Sequence, residues 1–235
     1  MLFAAGLGSR LKPWTDTHPK ALAVVNGKTL LQRNIEYLQT AGIKEVIVNV
    51  HHFADQIIQA IEENNGWGSV VTISNETDAV LETGGGLKKA AWYFENTPHF
   101  VVMNVDILTD LDLNTMIRQH IGSGALATLA VSSRTTSRYF LFDAENDLCG
   151  WRNVNTGEER ISRKTTLAVP KAFSGLHVIS SRLLSLIGRQ GKFSMVDVYL
   201  ELAKTERITA FDHSGAKFID VGKPESLVRA GELFS

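Results

Sequence analysis

The chain has 235 residues and a formal net charge of −1, with 44% hydrophobic and 21% charged residues. That is enough chain for a sizeable core, and the composition excludes disorder, collagen-like repeats and a coiled coil. Near-zero charge argues against a nucleic-acid partner, which calls for a basic excess, but leaves room for a local cationic pocket that holds a small anion.

Met1-Leu2-Phe3 reads as the end of a buried strand with almost no chain before it: either the natural start is trimmed or the numbering begins inside the first strand. The strand stub runs from Leu2 to Ala4 and a glycine-rich loop follows, Ala5 to Arg10. Thr29 to Thr40 has apolar residues at helical spacing, and Gly42 is placed to end that helix. Glu45 to Val50 reads as a strand, Ala54 to Glu63 as a helix, and Val70 to Ser74 as a strand. Gly84 to Phe94 reads as a helix opened by three glycines. Phe100 to Met103 is a strand, Leu113 to Ile121 a helix and Ala125 to Val131 a strand. The pattern then changes. Residues 139–142 and 148–151 flank a turn and read as a hairpin, and Thr156 to Lys164 reads as a polar loop. Phe173 to Ile179 is a strand, followed by helices at 181–187 and 195–203. Strands at 208–211 and 217–219 precede a closing helix, Pro224 to Glu232.

The alternation predicts an α/β fold: a doubly wound, mostly parallel, Rossmann-like sheet with a β-rich elaboration in its second half. One domain over 1–235 is expected, with halves at 1–131 and 132–235. Ligands of such sheets bind at the carboxyl ends of the strands. Cys149 is the only cysteine, so neither an internal disulfide nor a Cys-rich zinc site is expected. A reducing, cytoplasmic setting is the corresponding expectation. No secretory leader and no membrane span are read, so no membrane partner is expected.

Three polar clusters follow predicted strands. In Ala5-Gly6-Leu7-Gly8-Ser9-Arg10, glycines let backbone N–H groups approach an anion. Neither GxGxxG nor GxxxxGK[ST] is present, so on spacing alone the signal is weak and a plain turn between strand and helix stays open. Arg10 and Lys20 add two cations, which suit a polyphosphate; Lys12 reads as a surface charge. Asp106 ends the apolar run FVVMNV, where a hard cation would find a carboxylate. Asp112 reads as a helix N-cap and Asp110 is ambiguous. Asp220 ends a second apolar stretch, and alone it reads as a turn residue. In Glu82-Thr83-Gly84-Gly85-Gly86, small residues permit close approach of a flat group and leave helix N–H groups open, or Thr83 simply caps a turn. His177 reads as a packed histidine. Adjacent His51 and His52 point opposite ways on an extended segment and make no ready metal pair.

The run AAGLGSRLKPWT, then DTH, then PKAL, resembles the opening motif of the sugar-1-phosphate nucleotidyltransferases, AAGxGxRLxPLT and PKxL. Only Trp14 departs, where Leu or Ile is usual. NVD and DVGKPE resemble that family's two aspartate motifs, with Val105 and Lys223 as departures. ETGGG resembles the version found in N-acetylmuramate-1-phosphate uridylyltransferases and heptose-1-phosphate guanylyltransferases. The resemblance implies that an NTP and a sugar 1-phosphate react to give an NDP-sugar and pyrophosphate. It implies nucleotide contacts from Ala4, Ala5, Gly6, Gly8, Ser9, Glu82, Thr83 and Gly84, and sugar-phosphate contacts from Ser174 and Gly175. It further implies catalytic roles for Arg10 and Lys20, with Mg2+ on Asp106 and Asp220. The nucleotide is assigned to the first half and the sugar phosphate to the second.

The specific expectation is uridylyl transfer to N-acetylmuramate 1-phosphate, as in cell-wall recycling, by a monomer or homodimer. Alternatives are guanylyl transfer to heptose or mannose phosphate and cytidylyl transfer to phosphocholine. A non-catalytic nucleotide-binding regulator is the alternative from another class. A Rossmann dehydrogenase is disfavoured by the missing third glycine.

Overall fold

The computed structural model describes residues 1–234. Strand β1 (Leu2–Phe3) precedes a hairpin of β2 (Val24–Val25) and β3 (Lys28–Thr29), then helix α1 (Leu30–Thr40) and strand β4 (Glu45–Val50). Helix α2 (Ala54–Glu63), strand β5 (Val70–Asn75), helix α3 (Glu82–Lys89) and strands β6 (His99–Asn104) and β7 (Ile107–Thr109) follow. Next come α4 (Leu113–Ser123), β8 (Ala127–Ser132), β9 (Arg138–Phe142), β10 (Leu148–Asn153), β11 (Glu159–Ile161) and β12 (Val169–Ser180). The chain closes with α5 (Arg182–Leu186), α6 (Met195–Leu202), β13 (Ile208–Asp212), β14 (Phe218–Asp220) and α7 (Pro224–Leu233). Among the described residues no helix is long and apolar enough to cross a membrane.

The chain divides into two compact units. The first holds residues 1–82, 103–113 and the chain from Lys217 on; the second holds 83–102 and 114–216.

In the first unit β1 runs parallel to β4 and to β6, and β4 runs parallel to β5. Leu2 pairs with Val48 and Met103, and Phe3 with Asn49 and Asn104. β5 runs beside β4, with Asn49 opposite Ser74. This register brings the carboxyl ends of three strands to one level beside the glycine loop. β4 is the β-branched run EVIVNV, and every residue after Glu45 is buried, as a strand covered on both faces requires. Helix α1 starts at Thr29, whose side chain accepts from the Gln32 N–H at 3.1 Å. It ends where Gly42, at φ +78°, lets Ile43 N–H reach the Leu38 carbonyl at 3.1 Å, the paired closure that glycine favours at this position. β14 pairs antiparallel with β7, Ile219 opposite Leu108 and Asp220 opposite Ile107. Leu108, Ile219 and Val221 enter a buried cluster with Leu11, Val25, Leu30 and Ala230. Alternation along β14 therefore buries the neighbours of Asp220 and leaves Asp220 itself exposed.

In the second unit β8 lies between β12, antiparallel, and β13, parallel. β12 also pairs with β9, and β9, β10 and β11 form an antiparallel set. This is the α/β class read from the sequence, with a mostly parallel core and a β-rich second part.

Several boundaries differ from that reading. The helix expected at 84–94 is α3 followed by a separate 3-10 turn, Ala91–Phe94. The expected loop at 156–164 contains β11, an edge strand of polar sequence ERI, so no apolar alternation marks it. β12 begins four residues before the predicted Phe173, across Pro170, a residue that reads against a strand. Neither β7 nor the β2–β3 hairpin was expected, each being only two or three residues per strand.

Candidate active site

The first unit gathers four of the predicted residues. Lys20 Nζ donates to Asp106 Oδ2 at 2.5 Å, and Arg10 Nη2 lies 3.9 Å from Asp220 Oδ2. Backbone pairing joins the two ion pairs, because Val221 N–H donates to the Asp106 carbonyl at 2.8 Å. Lys20 is only 8% exposed, so its ammonium is held rather than swept through solvent. Arg10 is exposed, with its guanidinium against Gly222. A Cβ on Gly222 would stand 2.9 Å from Arg10 Nη2 and 2.8 Å from Asp220 Oδ1. Gly222 thus makes the seat for that pair, a role not read from its sequence position.

The glycine loop is held from several sides. Gly8 takes φ +62°, and a Cβ there would come within 2.9 Å of Thr15 Cγ2 and 3.1 Å of Lys20 Cβ. Both conformation and space demand glycine. Thr15 Oγ1 donates to the Gly8 carbonyl at 2.9 Å, and Leu11 N–H donates to the same oxygen at 2.8 Å. Gly6 and Ser9 are exposed and Ala5 is half-buried. Ala4 is buried, and its N–H donates to Asn49 Oδ1 at 2.7 Å, so that donor is committed within the fold. Asn49 Nδ2 in turn donates to Glu76 Oε1 at 2.8 Å. Thr15 is the last residue of the AAGLGSRLKPWT run, whereas Asn49 carries no sequence signal beyond lying near the end of a strand.

Other sequence readings resolve into structure. Trp14 packs against the buried cluster of the first unit and stacks on His18 at 4.8 Å. Val105 is buried, its N–H donating to the Phe3 carbonyl at 3.1 Å. Its side chain faces the interior, so this departure from glycine adds no bulk at the surface. Asp110 accepts from Lys217 N–H at 2.7 Å and ties the β7 end to the segment before β14. Asp112 immediately precedes α4, as a cap would. Lys12 pairs with Asp16 on the surface at 2.8 Å, and Lys223 is exposed before α7. His51 Nδ1 is bonded to the Glu76 carbonyl at 2.6 Å, while the His52 ring lies against Phe53.

In the third cluster the helix N–H groups read as open are bonded within the protein. Glu82 closes the first unit, exposed and at a left-handed φ of +59°, an uncommon conformation for a residue with a side chain. Within the second unit the N–H groups of Gly84 and Gly85 are not open to a ligand. Both donate to the Phe193 carbonyl, at 2.9 and 3.2 Å. A Cβ on Gly84 would collide with that carbonyl and with the Phe193 ring. At Gly84 the close approach is made by this phenyl ring. Thr83 Oγ1 accepts from Met195 N–H at 3.0 Å, satisfying a donor at the start of α6. Ser174 is also committed. It is buried and its Oγ lies 2.7 Å from His213 Nε2. Gly175 takes φ +74°, where the β12–β8 register shifts. His177 is packed as expected, 2.5 Å from the Tyr199 hydroxyl. Burial pushes its pKa down to about 3 and that of Tyr199 well up.

Asp106 and Asp220 offer carboxylate oxygens from adjacent, backbone-bonded segments. That hard donor set fits Mg2+, which takes one or two protein carboxylates and fills its shell with water and phosphate oxygens. Among the described residues no cluster of three or more candidate ligands exists.

A parallel α/β core with a glycine loop, two cations and two carboxylates at its strand ends defines a phosphate-handling protein of the nucleotide-binding type. A family model described as Nucleotidyl transferase matches residues 1–234, and the chain belongs to that family. It is 28% identical over 240 residues to the N-acetylmuramate alpha-1-phosphate uridylyltransferase of Caulobacter vibrioides, covering 98% of this chain and 94% of the relative. It is 25% identical to the mannose-1-phosphate guanylyltransferase catalytic subunit beta of Drosophila pseudoobscura pseudoobscura, spanning 97% of this chain and 60% of that protein. The crystal structure of HddC from Yersinia pseudotuberculosis complexed with GMP-PN is similar over 100% of this chain and 98% of that one, with TM-score 0.77 and 27% identity.

Proposed function

We propose that the protein is a sugar-1-phosphate nucleotidyltransferase that transfers a uridylyl group from UTP to N-acetylmuramate 1-phosphate. The observation that carries the reading is the joined pair of ion pairs, Lys20–Asp106 and Arg10–Asp220, beside the glycine loop. The near full-length likeness to the Caulobacter uridylyltransferase supports the choice of substrates.

In this reading a phosphate oxygen of the sugar 1-phosphate attacks the α-phosphorus of the NTP. The bond from that phosphorus to the bridging oxygen breaks, and pyrophosphate leaves. No residue becomes covalently modified, so the protein works by positioning and by electrostatics. The glycine loop, Ala5 to Ser9, binds the triphosphate through backbone donors. Arg10 grips phosphate oxygens with its planar fork, and Lys20 supplies a point charge toward the leaving pyrophosphate. Asp106 and Asp220 would hold Mg2+, which when bound neutralises phosphate charge. Arg10 and Lys20, now paired with Asp220 and Asp106, would turn to the phosphate oxygens of the bound NTP, leaving the two carboxylates to hold the cation. Ser174 and Gly175, at the bend of β12, are the residues that the family resemblance implies for the sugar phosphate. With the Ser174 hydroxyl bonded to His213, these residues shape that strand more than they offer free donors.

Guanylyl transfer is the second reading, favoured by the likeness to HddC complexed with GMP-PN. Pyrophosphate release, measured for four NTPs against a panel of sugar 1-phosphates with Mg2+ present, decides between them. UTP with N-acetylmuramate 1-phosphate should be the best pair. A preference for GTP would replace it with the second reading, and no release with any pair would remove both.

A further inference from the structure

We propose that Asn34 is a positioning residue that fixes Asp106 for cation binding, an inference that rests on the nucleotidyl-transfer reading above. Asn34 lies within α1 and is 1% exposed, on the face formed by Leu30, Leu31, Ile35 and Leu38. Periodicity calls for an apolar residue there. A buried amide inside a helix is disfavoured both by propensity and by desolvation.

Its Nδ2 uses both hydrogens. One goes to the Leu30 carbonyl within the helix at 2.9 Å, the other to the Val105 carbonyl at 2.8 Å. Its Oδ1 is buried and finds no hydrogen-bond partner among the described residues. Turning the amide over would set Oδ1 against two carbonyl oxygens, so the orientation is fixed by chemistry. The fold thus tolerates an unsatisfied buried acceptor in order to bring one donor to the peptide that precedes Asp106.

That peptide matters because, among the described residues, the contacts made by Asp106 itself are one at its carbonyl and one at its carboxylate. Val221 N–H binds the carbonyl at 2.8 Å and Lys20 Nζ binds the carboxylate at 2.5 Å. In the functional reading Lys20 turns toward phosphate and its hold is given up. Asn34 then remains as the side chain that keeps the Asp106 backbone in place. A residue acting on a metal ligand in this way typically changes metal affinity or activity by about 10–100-fold when lost.

The test compares wild type with Asn34→Leu, which keeps the branched shape without the amide, and Asn34→Ala, which adds no bulk. Mn2+ serves as the probe cation, its binding read from loss of the free-ion paramagnetic resonance signal. Thermal midpoints are taken without metal, and steady-state pyrophosphate release is measured as well. The expected result is at least about tenfold weaker Mn2+ binding and lower kcat, with KM for UTP changed about twofold or less, in variants that remain folded. A lower midpoint with wild-type Mn2+ affinity and kcat would mean that Asn34 serves only packing, and would overturn the proposal. Failure of both variants to fold would overturn it too, placing Asn34 in the fold rather than the site. Absence of pyrophosphate release by the wild type would sink the functional reading alone, because the Mn2+ comparison still decides the role of Asn34.

Discussion

Replacing Lys20 by Met keeps an unbranched stem and removes the ammonium. The side chains of Lys20 and Asp106 are 9% and 24% exposed, and their charged atoms meet at 2.5 Å. A hydrogen bond to a charged group contributes about 1.5–3 kcal/mol. Breaking a fully buried pair costs about 3–5 kcal/mol, because one charge is left uncompensated. Asp106 keeps a quarter of its surface, so Lys20→Met should cost about 2–3 kcal/mol, read from urea unfolding. Its effect on turnover should be larger, a fall in kcat of about 10²–10³, since a cation aimed at developing charge is lost. The double variant Lys20→Met/Asp106→Leu separates the two effects. With neither partner left unpaired, stability should return to within about 1 kcal/mol of wild type while turnover stays low. Wild-type kcat in Lys20→Met, with only the stability loss, would make Lys20 an anchor for Asp106 and refute its role toward phosphate.

Arg10→Ala should lower kcat strongly with a smaller effect on KM for UTP, and Arg10→Lys should recover part of the rate, because the planar fork is missing. Its side chain is 60% exposed, so unfolding midpoints should move by no more than about 0.5 kcal/mol equivalent. Gly84→Ala should destabilise by about 1–3 kcal/mol in urea, since a Cβ there would stand 2.9 Å from the Phe193 carbonyl; an unchanged midpoint would show that this packing yields easily. His120, buried between His99 at 3.1 Å and Thr128 at 2.9 Å, has its pKa lowered by burial, then by His99, to about 4. An unfolded histidine takes its proton near pH ~6.5, so stability is complete above that pH and falls as pH drops toward about 4. Unfolding midpoints from pH 7 to 4.5 should show this decline, and His120→Gln should flatten it.

Legibility in the sequence followed physical scale. The Gly42 stop and the EVIVNV strand were readable because several residues repeat one pattern. Asp106 was readable as a strand-end carboxylate, Asp220 alone read as a turn residue, and Arg10 and Lys20 were singled out by the resemblance of the long loop motif. β11 was not readable, because an exposed edge strand has no apolar face to write into the sequence. Thr83, Gly84 and Ser174 look the same in sequence whether they face a ligand or a neighbour. Their partners, Met195, Phe193 and His213, lie far along the chain, and only the fold shows those contacts. Asn34 and Gly222 were missed for the same reason: each acts on a residue that folding brings to it.

The most direct test is turnover in Asp106→Asn and Asp220→Asn, each with saturating Mg2+, UTP and N-acetylmuramate 1-phosphate. Both carboxylates are expected to hold the cation, so each variant should fold normally and lose about 10²–10⁴ in kcat. Near-normal rates in both variants would contradict the assignment of this carboxylate pair as the centre of nucleotidyl transfer.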